Sequence, residues 1–296
     1  MSRYNQKTEV KRAYLLALVA VLLWSSVATA FKLTLNKISV ISLLFYSILT
    51  SVIILFLIIL KTHKLKLLFS YKKSIYLKLL ALGALNPFIY YIVLFKAYSL
   101  LPAQEAQAIN YTWALMLTFL SAIILKQKIR VIDFIASFIA YFGVLIIATH
   151  GSLTSLEFSS TKGVIFALLS TIFWSIYWIY SVKIDIDTVV GMFITFFSGF
   201  IFLLIYIALF NIKIEYNLKG LIGSVYIGIF EMSITFIVWL SALKLSNNNS
   251  KIANLIFLSP FLSLIFIYFF VGETILFSTI IGLVLIILAL ILQKII

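Results

Sequence analysis

GLIGSVYIGIFEMSITFIVWLSAL, residues 220–243, is the stretch that decides the fold. At about 1.5 Å per residue it forms a helix of roughly 36 Å, which is long enough to cross a bilayer. Its one charged residue, Glu231, would then lie near the middle of the membrane. A carboxylate that faces lipid at this depth is costly, so we expect Glu231 to face protein or a wet cavity. Thr235 and Trp239 follow at i+4 and i+8 and should share its face, which we interpret as a cavity wall.

The composition of the whole chain is typical of a membrane protein. Of 296 residues, 64% are hydrophobic and 11% are charged, and the mean hydropathy is +1.19. A soluble domain would not tolerate such values on its surface. The net charge of +14 does not indicate nucleic-acid binding, because the basic residues fall between apolar segments. The chain has no cysteine, which excludes disulfides and thiolate metal sites, and we expect no cofactor.

Ten apolar segments alternate with short polar connections, and most hold about 20 residues, the length that crosses the hydrocarbon core. They are residues 13–31, 39–60, 75–95, 106–125, 131–149, 163–182, 189–210, 220–243, 252–271 and 275–292. The longest polar intervals, 61–74 and 150–162, are too short for an extramembrane domain. The sequence therefore predicts an all-α integral membrane protein with ten transmembrane helices, called spans 1 to 10 below.

The basic residues are distributed unequally over the two sides of the membrane. If the N-terminus is cytoplasmic, the connections on that side hold 17 of the 23 lysines and arginines. Cytoplasmic connections carry an excess of these residues. We therefore expect a multi-pass protein of the cytoplasmic (inner) membrane with both termini in the cytoplasm.

A cleaved signal peptide is the alternative for the first apolar segment. Basic residues precede it, and Ala-Thr-Ala at 28–30 fits a small-x-small cleavage site. We favour a retained helix, because Trp24-Ser25 in this segment recurs as Trp174-Ser175 in span 6.

An internal repeat is visible in three pairs of short motifs with nearly constant offset. The pairs are 22–25 with 172–175 (offset 150), 96–100 with 241–245 (offset 145), and 111–113 with 258–260 (offset 147). Their matching order predicts two five-helix repeats, residues 1–150 and 151–296. Because five is odd, the second repeat enters from the opposite face, which gives inverted repeats. Secondary transporters use this symmetry to alternate access to a solute held near the midplane.

The doubled tryptophan-serine motifs identify a known family. LLWSS at 22–26, IFWSI at 172–176 and LIFLSPFLSLIFIYFFVGE at 255–273 resemble the drug/metabolite transporter superfamily in its EamA-type form with two repeats. The resemblance covers essentially the whole chain. It implies a ten-helix permease that moves small organic solutes, often outward.

The fourth span resembles one branch of this superfamily. INYTWALMLTFLSAIILKQK at 109–128 is most similar to the YddG-type exporters of aromatic and neutral amino acids, through Asn110-Tyr111, Trp113 and Gln127-Lys128. The resemblance implies export of amino acids. Glu231 is not a feature of those exporters, so the solute stays open.

Glu231 has two interpretations. An intramembrane ionisable group is by default a functional hypothesis, and Glu231 is the candidate for proton coupling or cation binding. The alternative is a permanently neutral glutamate that is hydrogen-bonded between helices.

Polar and aromatic side chains of other spans are expected beside the solute. Asn86 and Tyr90 stand four residues apart in span 3, with Pro87 interrupting the helix between them. Trp24 and Trp174 occupy equivalent depths of the two repeats, where helix packing is the alternative to a solute contact. The predicted substrate-binding residues are Trp24, Ser25, Asn86, Tyr90, Asn110, Trp113, Trp174, Tyr177, Glu231, Thr235, Trp239 and Asn254.

Several other polar residues are assigned no role in solute binding. We expect Gln104 and Glu105 at the outer interface, and we expect Glu273 to cap or orient the last hairpin. The remaining residues are expected in connections, without a role as ligand or base, and they are His63, His150, Asp185 and Asp187.

Three other classes of membrane protein fit the sequence less well. The chain contains no Gly-Lys dipeptide and hence no phosphate-binding loop of an ATP-driven pump. An intramembrane enzyme needs a nucleophile, a base and an orienting group, and no His-Glu-x-x-His or Gly-x-Ser-x-Gly motif occurs. A channel would need a continuous polar lining, whereas the polar positions here cluster at midplane depth.

The sequence therefore predicts a secondary active transporter of small organic metabolites, with amino acids as the first candidate. Proton-coupled efflux of cationic amines or drugs is the alternative. We expect the cavity between spans 1, 3, 4, 6, 8 and 9. The expected partners of the protein are the small-molecule substrate and the lipid bilayer. We expect no nucleic acid, and the oligomeric state stays open.

Overall fold

The computed structural model describes residues 3–126, 130–152, 158–245 and 255–295. Eight of its helices are long and apolar enough to cross a membrane, and two shorter apolar helices follow them. In chain order the spans are Arg3–Leu35, Val40–Lys61, Lys73–Leu100, Ala103–Leu125, Val131–Ala148, Thr161–Ser181, Thr188–Leu209, Leu218–Leu243, Leu255–Val271 and Phe277–Ile295. The prediction of an all-α integral membrane protein with ten spans is confirmed.

Contacts between the connections fit an alternating path through the membrane. Lys64, between spans 2 and 3, forms an ion pair of 2.7 Å with Asp187, between spans 6 and 7. On the opposite side, His150 follows span 5 and lies 2.7 Å from Glu105 at the start of span 4. Each connection therefore meets a connection of the same side, and two repeats of five spans run through the membrane in opposite senses.

Span 8 is not the continuous helix that the sequence predicts. It consists of the helices Leu218–Phe230 and Ile234–Leu245, with a turn that begins at Glu231. At this turn the Met232 amide bonds back five residues instead of four. The Ser233 hydroxyl donates to a carbonyl that the helix has released, that of Gly228, at 2.8 Å. A break at this depth is tolerated because nearby hydroxyls satisfy the freed backbone groups.

Span 3 breaks in the same way as span 8. Asn86 has non-helical dihedral angles (φ −141°, ψ 120°) and separates the helices Lys73–Gly83 and Tyr90–Leu100. The interruption that Pro87 predicts between Asn86 and Tyr90 is thus confirmed. Asn86 and Glu231 differ by 145 positions, which is the offset of the sequence motifs that end these two spans.

Spans 4 and 9 carry the second pair of interruptions. Span 4 turns at Tyr111, between the helices Ala103–Asn110 and Trp113–Leu125. Span 9 changes at Leu258 from a 3-10 turn to an α-helix, 147 positions later. Interrupted helices in corresponding positions of two repeats are the pattern that builds binding sites in secondary transporters.

Spans 1 and 6 each pack against the interrupted spans of the other repeat. The Ser25 hydroxyl of span 1 donates to Ser259 in span 9 at 3.2 Å. The Ser175 hydroxyl of span 6 donates to the carbonyl of Trp113 in span 4 at 2.9 Å. The serines of the two Trp-Ser motifs thus cross between the repeats and hold the interrupted helices.

Spans 5 and 10 pack extensively against each other, and glycine permits a close approach of their backbones. A Cβ atom added to Gly143 would lie 2.6 Å from the carbonyl oxygen of Gly282. Small residues allow helix backbones to come together in membranes, where packing drives the association of helices.

We expect Gly282→Val to separate spans 5 and 10 and to lower the free energy of unfolding by about 1–3 kcal/mol, the usual range for an overpacked contact. The measurement is the thermal unfolding midpoint in detergent. Leu288→Val is the matched control, because Leu288 is 54% exposed on the same helix. Equal midpoints for the two variants would contradict the close packing.

Candidate functional site

A cavity of about 240 Å³ lies between spans 3, 6, 7 and 8. It runs from the interruption of span 3 to the connection between spans 6 and 7, where Val182 is 70% exposed. Its walls are mainly apolar, and the described lining residues include no charged side chain. They are Leu79, Leu82, Asn86, Tyr91, Trp174, Tyr177, Trp178, Ser181, Val182, Ile184, Ile186, Thr188, Gly191, Met192, Thr195, Phe196, Phe236 and Leu240.

Trp174 is the centre of an aromatic wall. Its ring stacks on Tyr90 with centroids 4.6 Å apart and on Tyr177 with centroids 5.7 Å apart. Trp113 meets it edge-on at 6.4 Å. Such a surface offers stacking to a planar solute and a cation-π contact to an amine.

Trp24, the repeat equivalent of Trp174, lies behind this wall. Its ring packs against Phe236 at 5.4 Å and against Trp239 at 5.5 Å. Phe236 lines the cavity and also meets Trp174 at 6.5 Å. Trp24 and Trp239 therefore support the aromatic wall through Phe236 and are not themselves part of the lining.

Asn86 brings a polar atom to the cavity. It is 2% exposed, and its side chain lies beside the Tyr177 hydroxyl. Its Oδ1 atom has no hydrogen-bond partner among the described residues. Because buried polar atoms are normally paired, this oxygen can accept a hydrogen bond from a solute or a water molecule.

Glu231 connects to the cavity through Tyr91. The Tyr91 hydroxyl donates a hydrogen bond of 3.0 Å to the Glu231 carboxylate. Tyr91 is 1% exposed and lines the cavity. The carboxylate thus lies against protein, at the interruption of span 8 and one side chain away from the cavity.

The hydroxyls of Ser25 and Thr235 are occupied by contacts within the helices. Thr235 donates to the carbonyl of Phe230 across the interruption of span 8. Ser25 donates to the carbonyl of Val21 at 2.6 Å and to Ser259. Both hydroxyls are bonded to protein groups, and a contact of these residues with a solute stays a prediction.

Asn110 lies near the aromatic wall but outside the cavity lining. Its amide nitrogen donates to Ser170 in span 6 at 2.8 Å, and its side chain also lies beside the Tyr90 hydroxyl. Of the predicted residues, Asn86, Trp174 and Tyr177 lie in the cavity wall, and the other described ones do not line it. Asn254 lies outside the described residues.

Span 7 contributes a wall that sequence reasoning missed. Its lining residues include Gly191, Met192 and Thr195. Span 7 carries no charged residue and no motif of the repeat, so it looks like an ordinary apolar span. Thr195 and the nearby glycines were the available signal, because small and polar residues in a span are typical of helix contacts.

Asp187 begins span 7 and is not the solvated charge that the sequence suggests. Its carboxylate caps the helix by accepting the amides of Val189 and Val190, and it pairs with Lys64. Partial burial acts to raise the pKa of Asp187, but the bonds from Lys64 and the two amides outweigh it and hold the pKa below its usual value. The cap and the ion pair fix one edge of the cavity opening.

The opposite side of the protein is closed by polar contacts. Glu105 is 1% exposed and binds His150 and Ser159, both at 2.7 Å, in the first turn of span 4. Glu273, between spans 9 and 10, accepts the amide of Ala103 at 2.7 Å and thus caps span 4. Lys32 donates to the carbonyl of Leu101 at 2.6 Å. These bonds tie span 4 to the connections between spans 5 and 6 and between spans 9 and 10, and they tie span 1 to the turn between spans 3 and 4, on the side away from the cavity opening.

We expect a cysteine placed at Met192 to react with a membrane-impermeant maleimide only from the side that exposes the connection between spans 6 and 7. The chain has no cysteine of its own, so the background is clean. Val182→Cys marks that side, because Val182 is 70% exposed, and Leu203→Cys should not react, because Leu203 is fully buried in the same span. Labelling of Met192→Cys from the other side would contradict the described opening.

Two relatives share part of the sequence. An "uncharacterized transporter" of Clostridium kluyveri is 32% identical over 171 residues, which are 55% of this chain and 54% of that protein. An "uncharacterized transporter in sor 3'region" of Acidianus ambivalens is 27% identical over 174 residues, which are 57% of this chain and 66% of that protein. The chain thus matches between half and two thirds of these relatives' length.

A solved crystal structure shares the fold. It has a TM-score of 0.65 and 19% sequence identity, and the alignment covers 95% of this chain and 96% of the other. At this identity the likeness concerns the fold alone.

The sequence profile of the EamA-like transporter family matches the chain twice, over residues 11–149 and 161–293. The family and the names of the relatives indicate a transporter rather than an enzyme. The resemblance to the drug/metabolite transporter superfamily is confirmed, whereas the amino-acid exporter branch stays a prediction. The chain belongs to the EamA-like transporter family and is a multi-pass membrane protein.

Proposed function

We propose that this protein is a secondary active exporter in the cytoplasmic membrane. It alternates access to the solute by rocking of its two inverted repeats, residues 1–150 and 151–296. The interruptions of spans 3 and 8 flank the solute cavity, as in transporters whose broken helices form the site. The Trp-Ser spans cross between the repeats, so a movement of one repeat is transmitted to the interrupted helices of the other.

One observation carries the proposal for the solute. The only acid within span 8, Glu231, is hydrogen-bonded to Tyr91 in the wall of an aromatic cavity. An amino group of a solute fits this arrangement, because it can stack on Trp174, donate to Asn86 and balance the charge of Glu231. We therefore propose that the solute is a small organic molecule with an apolar or planar body and an amino group.

Amino acids and cationic amines both meet this description. The cavity volume of about 240 Å³ accommodates either class. The lack of a basic side chain in the described lining favours amines, because the carboxylate of an amino acid would have no ion-pair partner there. Amino acids stay the first candidate because of the branch resemblance, and this lack of a basic side chain makes amines the second candidate.

The position of the opening supports a proposal for the direction of transport. The cavity opens beside the connection between spans 6 and 7, on the side that holds most of the basic residues. That side is cytoplasmic by the positive-inside rule. A cavity that loads from the cytoplasm supports export.

Reconstituted liposomes loaded with labelled amino acids or amines test the solute class, with and without a pH gradient. Competition by amines alone would reject amino acids as solutes. Competition by neutral amino acids alone would reject the argument that the lining, which lacks a basic side chain, favours amines. Transport of neither class would reject the proposed solute chemistry.

We expect Glu231→Gln to abolish the effect of a pH gradient on solute transport, because the amide cannot take up or release a proton. Flow of solute down its own gradient should persist. The measurement is the initial rate across a series of gradients. Glu215→Gln is the control, because Glu215 is exposed outside the spans. An unchanged pH dependence in Glu231→Gln would remove this residue from the coupling.

A further inference from the structure

The connection between spans 2 and 3, together with the adjoining ends of these spans, is strongly basic. Residues 61–78, KTHKLKLLFSYKKSIYLK, hold six lysines and no acidic residue. Five of these lysines are exposed, and the sixth, Lys64, is the one that pairs with Asp187. The exposed lysines are Lys61, Lys66, Lys72, Lys73 and Lys78.

This connection is folded and held in place. It contains the 3-10 helix Leu65–Phe69, and the Tyr76 hydroxyl donates to the carbonyl of Leu68 at 2.7 Å. Leu68 is 8% exposed and packs with Ile59 of span 2 and Val190 of span 7. The inner face of the connection is therefore anchored to two spans.

The outer face of the same short helix is apolar at its ends. Phe69 is 83% exposed and Leu65 is 43% exposed. They lie between exposed lysines, only a few residues beyond the end of span 2. Apolar side chains bordered by lysines at the end of a membrane span are typical of a surface that rests on lipid headgroups.

We propose that this surface, residues 61–78, binds the headgroups of anionic phospholipids. The charge of the surface is complementary to such lipids, and no described acidic residue other than Asp187 pairs with its lysines. Lysine stems can lie along the lipid boundary while their ammonium groups reach the phosphates. Phe69 and Leu65 insert at the level of the headgroups. Lysines that only set the orientation of the protein in the membrane would not need these exposed apolar neighbours.

The surface is joined to the edge of the cavity. The amide of Asp187 donates to the Tyr71 hydroxyl at 3.2 Å, and Lys64 binds the carboxylate of the same residue. Ile186 and Thr188, on either side of Asp187, line the cavity. A lipid bound to residues 61–78 is thus connected to the cavity opening through Lys64 and Tyr71. This inference does not depend on the identity of the solute.

The test places a polarity-sensitive fluorophore on Ser70→Cys, an exposed position beside Phe69, in an otherwise cysteine-free chain. The protein is reconstituted in phosphatidylcholine with increasing fractions of spin-labelled phosphatidylglycerol or spin-labelled phosphatidylcholine. We expect phosphatidylglycerol to reach half-maximal quenching at a mole fraction several-fold lower than phosphatidylcholine. High salt should reduce the difference, because the surface charges are screened.

The triple variant Lys66→Gln, Lys72→Gln, Lys73→Gln should abolish the several-fold preference for phosphatidylglycerol, since each lysine near an anionic surface adds to the attraction. The double variant Lys213→Gln, Lys219→Gln is the matched control, because these lysines are exposed on the opposite side. It should quench as the unmodified chain does.

Three results would overturn the proposal. They are equal quenching by the two lipids, an unchanged preference in the triple variant, and a response to soluble polyglutamate alone, which would indicate an acidic protein partner. A second measurement uses the unlabelled chain, for which mass spectrometry of the lipids that remain bound after purification should show phosphatidylglycerol enriched over phosphatidylcholine, with the enrichment lost in the triple variant.

Discussion

Every backbone amide and carbonyl inside a membrane needs a partner within the protein, because hydrocarbon offers none. The interrupted spans break the regular helical bonding at midplane depth, and side-chain hydroxyls replace part of it. Ser233 bonds the carbonyl of Gly228, while Ser25 and Ser175 bind the interrupted helices of the opposite repeat. These hydroxyls stabilise the interrupted helices, and side chains at the interruption of span 3 line the cavity.

The sequence was sufficient for the number of spans, the two repeats and several residues of the aromatic wall, because hydropathy and repeated motifs are local signals. It was insufficient for the interruption at Glu231, since serine and threonine are also compatible with a continuous membrane helix. The contribution of span 7 and the burial of Glu105 against His150 were likewise missed. Both depend on which distant parts of the chain meet, and one sequence does not contain that information.

The two sides of the protein are closed to different degrees, although the repeats are related by symmetry. Lys32 and Glu273 bind the turn between spans 3 and 4 from two directions on the closed side. The positions at the corresponding offsets are Val182 and Lys126, which cannot form the same set of bonds. The difference in side chains explains why one end of an approximately symmetric molecule is sealed while the other admits a cavity.

The crossing of the Trp-Ser spans has a consequence for how the chain is assembled. Span 1 is made first, yet its partners in spans 8 and 9 are made late, with only span 10 after them. A half-length product would leave Ser25, Trp24 and the apolar surface around them without the neighbours that cover them in the complete protein. During synthesis the first helix can therefore meet only its neighbours in the first repeat, and its larger contact surface is covered once spans 8 and 9 are inserted.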